Sequence, residues 1–217
     1  MNAPTHSYSM NQANAAKIGG TGRINTTGAY EGAFTRAEAV SSEKGTIGIE
    51  FDFKTTDGAT ASFISVWTTK ANGEQLSGSA VIDALMLLLR VKDMSPRNVM
   101  VDKWSSESRQ VEKCSAPCFV DLMNKPIGLL LQKEISEYQG KQKEKMLIYG
   151  AYDIASRKTP KEIVSKAPKA LALDTIIASL KDKTAKPQGS APYAQPAGMS
   201  HGSDSYSGPA FDDDVPF

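Results

Sequence analysis

Glu50 and Asp52 are the first residues in this chain whose type and spacing suggest chemistry. Carboxylates two apart on a strand share a face, where a metal-dependent nuclease or related enzyme would hold Mg²⁺ beside a phosphate. No third acid stands in a companion motif, so the pair reads more simply as the solvated face of the strand. Nucleophilic catalysis has less to work with. A Ser or Cys nucleophile needs a positioned base, and the two histidines, His6 and His201, lie in polar end segments. Cys114 and Cys118 lack both zinc-pair spacing and a second pair, and read as ordinary reduced thiols. No catalytic residue, metal or cofactor is predicted.

A second set suits the binding of unpaired nucleic acid, which needs flat side chains for stacking and cations for phosphates. Phe63 and Trp67 are four apart on a strand-like segment, with Ser65 between them allowing close approach. Their competing reading is core packing beneath a neighbouring element. Trp104 follows Lys103 in a polar segment, and Tyr138 and Tyr149 are expected to approach one another across a hairpin. Lys141, Lys143 and Lys145 make a basic hairpin tip, while Arg36, Lys54, Lys70, Lys125 and Lys133 are spread over strands and loops. Each cation alone is most often a solubilising charge, and Glu50 and Asp52 argue against a phosphate track along their own strand.

The elements that must position these groups are mostly strands. Thr46 to Lys54 alternates strictly, with Ile47, Ile49, Phe51 and Phe53 on one face. Gly28 to Val40 precedes it as a long strand. Asp57-Gly58 then signals a hairpin turn into a third strand, Ala59 to Thr69. That third strand is apolar on both faces, Ile64 and Val66 against Phe63 and Trp67. Ser79 to Arg90 has helical spacing with Ser79 as N-cap; residues 93–126 read as an irregular excursion with a short strand at Val99 to Lys103. Ile127 to Tyr138 and Lys145 to Asp153 are two further strands. Thr159-Pro160-Lys161-Glu162 is a capping box, and Leu171 to Lys183 is helical. Strand, strand, strand, helix, strand, strand is the order of a five-stranded OB-fold barrel with a helix between its third and fourth strands, although other small barrels share the count.

Composition agrees with a folded body between two polar ends. Hydrophobic residues are 40% and charged residues 23% of the 217, enough to fold without a metal or disulfide framework. Residues 1–23 are expected to form a flexible arm, 24–183 the folded domain, and 184–217 a disordered linker and acidic tip. All 25 basic residues and 20 of the 24 acidic ones precede residue 187, a net of +5, whereas the remainder carries −4. Such segregation points to nucleic acid as partner and to an interaction tail. No apolar run approaches the ~20 residues of a bilayer span, and a cytoplasmic location without membrane contact is expected.

The final Asp212-Asp213-Asp214-Val215-Pro216-Phe217 closely resembles the acidic tip of bacterial single-stranded DNA-binding proteins. Gly28 to Trp67 and Lys125 to Glu162 resemble the bacteriophage members of that functional class. The resemblance implies an OB-fold that coats unpaired DNA during phage replication, recombination or repair in the infected cell, self-association being allowed by it. It also implies that the tip docks replication, recombination and repair enzymes. The physics of the tip agrees: Phe217 offers an apolar anchor and the aspartates offer steering. A protein-only OB-fold adaptor remains the other binding reading.

Overall fold

A computed structural model describes residues 22–105, 107–138 and 141–185. Eight strands are present among them: β1 (Gly28–Ser41), β2 (Ile47–Thr55), β3 (Thr60–Thr69), β4 (Arg97–Ser105), β5 (Gln110–Cys118), β6 (Pro126–Tyr138), β7 (Lys141–Tyr152) and β8 (Lys183–Thr184). Three helices accompany them: α1 (Gly78–Leu88), α2 (Pro160–Val164) and α3 (Ala172–Ser179), with a 3-10 turn at Val120–Leu122. The fold is mainly β, as expected, with the helix α1 following the third strand. The strand count is larger than five, because the presumed excursion at 93–126 is largely the hairpin β4–β5.

The sheet runs β3-β2-β1-β5-β4, and β6 joins β1 to β7 and β8. The long β1 serves both halves: residues 28–33 pair with 126–131 of β6, and Glu38 pairs with Cys118 of β5. All ladders are antiparallel except the two-residue β6–β8 pairing. β3 lies against β7 without a hydrogen-bonded ladder, so the sheet wraps its core but does not close into a ring.

Inside the wrap, Phe34, Phe51, Phe53, Ile64, Ile127, Leu129 and Leu131 are fully buried, and Leu85 of α1 seals the end. Phe34 sits with its ring centroid 4.5 Å from that of Phe51 and 5.8 Å from that of Phe53. The alternation of β2 holds for Ile49, Phe51 and Phe53, whereas Ile47 at the strand's start is 51% exposed. Ser79 does not cap α1; its hydroxyl donates to Thr68 O at 2.7 Å and ties the helix to β3.

The last helices pack outside the wrap, where Leu173, Ile176, Ile177 and Leu180 meet Leu130 and Tyr152. Their junction depends on Glu162. The capping box forms as the sequence predicts, and the same carboxylate accepts Thr159 N at 2.9 Å, Leu171 N at 2.7 Å and Ala172 N at 2.9 Å. It therefore closes α2 and the start of α3 together. The N–H donors of Thr159, then Leu171 and Ala172, hold the Glu162 carboxyl down to about 2.

A carboxyl with a lowered folded-state value stabilises the fold at pH above its ordinary value of 4.5. That contribution is lost as the pH falls from there towards 2. Glu162→Gln is accordingly expected to melt below the wild type at pH 7, the two melting temperatures converging between pH 4.5 and 2, as thermal unfolding followed by circular dichroism would show.

Candidate nucleic-acid interface

Three register shifts mark the β1–β2–β3 ladders: one between Ile47 and Gly48, opposite Trp67 to Thr69, and two that set the outer face around Arg36 and Phe63. In β1 the register with β2 shifts between Phe34 and Arg36. Strict alternation would send Arg36 into the core beside Phe34; the extra residue, the exposed Thr35, turns it outward. A second shift, between Phe51 and Phe53 of β2, lies opposite the β3 segment from Ala61 to Ile64. There Phe63 adopts φ of 60°, a left-handed conformation that is a strained choice for a bulky side chain. Ala61 and Ile64 both point inward, while Phe63 is turned out and is 44% exposed.

Arg36 holds this arrangement together. Its Nε donates to Asp52 Oδ2 at 2.8 Å, its Nη2 to Asp52 Oδ1 at 3.0 Å and to Glu50 Oε1 at 2.8 Å, and its Nη1 to Glu38. Asp52 Oδ1 also accepts the Phe63 N–H at 2.9 Å, and the guanidinium carbon lies 5.7 Å from the centre of the Phe63 ring. One buried cation thus fixes the carboxylate that fixes the bulge, and meets the ring that the bulge presents. Burial opposes the guanidinium's charge, but the hydrogen bonds and charges of Asp52 and then Glu50 outweigh it and raise its pKa above the ordinary value. Lys103 Nζ, from β4, completes the cluster by donating to Glu38 at 2.9 and 3.0 Å.

Arg36 is therefore not an open phosphate contact, as its sequence suggested: it is 1% exposed, and a phosphate would have to displace a carboxylate to reach it. The same contacts change the reading of Glu50 and Asp52. Three of their four oxygens are taken by Arg36, oxygens a Mg²⁺ ion would need. Among the described residues no group of three or more His, Cys, Asp or Glu is placed to hold a metal.

Phe63, Ser65 and Trp67 do share the outer face of β3. Trp67 pairs with Gly48, where a Cβ would come within 3.0 Å of the indole and 2.5 Å of Val66 O. The glycine lets the half-buried indole lie close to the sheet. Glu50, opposite Ser65, stands between the two aromatic positions. The face has two flat platforms and an anionic floor.

The remaining candidates are dispersed. Lys54 is exposed on β2, Lys70 pairs with Glu74 at 3.4 Å, and Lys125 donates to Leu89 O at 3.4 Å at the end of α1. Lys133 pairs with Glu144 at 2.8 Å. Trp104 is 48% exposed, but on the opposite face of β4 from Lys103, and so apart from Phe63 and Trp67. Tyr138 and Tyr149 do not meet. Tyr138 pairs with Lys141 at the hairpin end, whereas the 54%-exposed Tyr149 lies beside Leu130 and Leu131, about 25 Å along the strand.

Lys141, Lys143 and Lys145 lie on β7 itself rather than in a six-residue loop, since the strands run on to residues 138 and 141. The three alternate onto one face, joined by Lys183 of β8. Between them is the buried Glu134, bonded by Lys145 at 2.8 Å and Lys183 at 2.9 Å. Burial pushes the Glu134 carboxyl up, but the two ammonium groups overcome this and hold it below its usual range. The tip residues Asp212 to Phe217, with His6 and His201, lie outside the described residues.

Glu38, Lys103 and Lys183 were not among the sequence candidates. The first was legible in principle: Arg36/Glu38 and Glu50/Asp52 are i, i+2 charged pairs on consecutive strands of a hairpin, which antiparallel pairing brings side by side. Lys103 closes the short strand read at Val99 to Lys103, whose partner strand was not foreseen, and Lys183 was read as the end of the last helix, which stops at Ser179 before Lys183–Thr184 pairs with β6.

No protein-family model and no curated protein matches this chain.

Removing Arg36 leaves Glu50 and Asp52 without their cation and Glu38 with Lys103 alone, so Arg36→Ala is expected to cost about 3–5 kcal/mol of stability. Lys54→Ala, at an exposed position, should stay within about 0.5 kcal/mol. Urea denaturation of the two variants checks both.

Proposed function

We propose that the chain binds single-stranded DNA without catalysing a reaction on it, with unpaired bases stacked on Phe63 and Trp67. The observation that carries this reading is the outward Phe63, held in a strained bulge by the buried Arg36–Asp52 pair when an aromatic side chain would gain more by entering the core. The half-buried Trp67 on the same face supplies a second platform. Every base has a π-face, so such a pair binds with little sequence preference. The architecture supports an OB-fold assignment: three antiparallel strands, a helix and, after the inserted β4–β5 hairpin, two long strands of which β6 returns to β1 and β7 pairs with β6, wrapped round an apolar core.

The floor of the site sets the orientation of the strand. Arg36, Glu38, Glu50, Asp52 and Lys103 together carry one net negative charge, which suits bases turned inward and phosphates turned away. Phosphates then meet rim cations such as the exposed Lys54, with the lysine row of β7 as a further cationic surface. We also propose that the segment Asp212 to Phe217 recruits replication, recombination or repair enzymes in an infected bacterial cell, on the strength of its resemblance and its chemistry, an aspartate run followed by Val215, Pro216 and Phe217.

The test compares an oligo-dT with an abasic strand of equal length across a salt series. Wild-type affinity should fall steeply with salt for both. Phe63→Ala and Trp67→Ala should each weaken oligo-dT binding by about 1–3 kcal/mol and leave the abasic strand unaffected. Absence of single-strand binding, or equal losses on both strands, would overturn the reading. Deleting residues 212–217 should abolish pull-down of replication proteins from a bacterial extract without lowering the melting temperature; undiminished pull-down would refute the recruiting role.

A further inference from the structure

The β4–β5 hairpin stands at one end of the sheet, and its two faces differ sharply. The inner face carries Val99, Val101, Cys114, Ala116 and Cys118, packed with Met123. On the outer face the register sets Met100 opposite Ser115, Asp102 opposite Lys113 and Trp104 opposite Val111. All six are exposed, Met100 by 65%, Trp104 by 48% and Val111 by 62%. A tryptophan, a methionine and a valine left in water on a terminal hairpin are an unusual surface for a chain that buries its other face so well.

Its charges decide what fits. One aspartate and one lysine leave the face neutral, which gives a polyphosphate no net attraction. The same two residues make the face complementary to itself. Rotation of a second copy about a two-fold axis parallel to the strands lays each β4 over the other copy's β5 at the same level. Asp102 then faces Lys113, Lys113 faces Asp102, Trp104 faces Val111, and Met100 faces Ser115. Rotation about an axis across the strands at the level of this pair would instead set Asp102 against Asp102 and Lys113 against Lys113. We propose that this face is a self-association surface that takes a second copy of the chain in the first, isologous arrangement.

The surface is small, a two-stranded face about 30 Å long and about 10 Å wide. A stable specific complex buries roughly 800 Å² per partner. The contact is therefore weak in free solution and strengthens where copies are held close together, as on a shared strand. The proposal stands on the geometry of the hairpin and does not need the nucleic-acid reading.

Charge exchange in the full-length protein tests it. Sedimentation of the wild type should show concentration-dependent dimerisation in roughly the micromolar-to-millimolar range. Asp102→Lys and Lys113→Asp should each weaken it about tenfold or more, since each sets like charges together across the axis. An equimolar mixture of the two variants should associate again, each supplying the charges the other lacks, an outcome that a purely intrachain effect of either substitution cannot produce. Trp104→Ser, whose fold is checked by its melting temperature, should remove association and keep the affinity of a short, single-site oligonucleotide. A wild type that stays monomeric up to millimolar concentration, or a mixture no more associated than its components, would overturn the proposal. So would a Trp104→Ser protein that loses short-oligonucleotide affinity while dimerising as before, which would assign the surface to nucleic acid.

Discussion

A guanidinium removed from water is the constraint around which this molecule is arranged. Arg36 is 1% exposed, and a cation so placed is tolerable only if its donors are met by fixed acceptors of opposite charge. Glu38 on the same strand, and Glu50 and Asp52 on the next, meet that demand only in one register: a slip of a single residue between β1 and β2 would point the carboxylates into the apolar core. The bulge at Thr35 belongs to the same requirement, because without it Arg36 and Phe34 would fall on one face. The cluster contributes less by its net energy than by the alternatives it excludes.

That specification extends to the surface. Asp52 has one oxygen shared between Arg36 and the Phe63 N–H, so the charge cluster and the backbone conformation of β3 are mechanically linked. Lys103 ties the same cluster to the β4 strand through Glu38. The consequence is a face whose chemistry is divided: an exposed Phe63 and a half-buried Trp67 lie over a floor that is itself weakly anionic, and a separate row of lysines runs along β7 and β8. A ligand with flat apolar groups and a separate anionic backbone matches that division; a uniformly anionic ligand does not.

Much of the architecture was legible from residue patterns, and the failures have a common cause. The alternation of β2, the Asp-Gly turn, the capping box and the apolar stripe of α3 are local signals, each complete within about ten residues. Phe63 and Trp67 could be placed on one face because both lie in such a pattern. The hairpin β4–β5 could not, since only its inner face is covered and that face is made of Val, Ala and Cys rather than a strong apolar run. The true environment of Arg36 depended on pairing between strands and on a bulge, neither of which composition specifies. Its reading as a free phosphate contact failed for that reason, and the pairing of Tyr138 with Tyr149 failed because hairpin register fixes distance where sequence spacing does not. Lys141, Lys143 and Lys145 were found as a group, but as a strand face and not a loop.

The placement of Phe63 shows why the strained element and the buried charge belong together. A left-handed phenylalanine costs of order 1–3 kcal/mol, and an outward one forgoes the burial that its ring would otherwise gain. A protein under selection for stability alone would relax both by moving the bulge. Relaxation is blocked here because Asp52 would lose the Phe63 N–H, Arg36 would lose the ring above it, and the cluster that sets the β1–β2 register would be left partly unsatisfied. The buried ion cluster thus converts stability that the fold already needs into rigidity at an exposed ring. In the stacking role proposed for it, a ring fixed in this way need not be ordered by its ligand, so the entropy that a mobile aromatic side chain would lose on stacking is largely spent in folding.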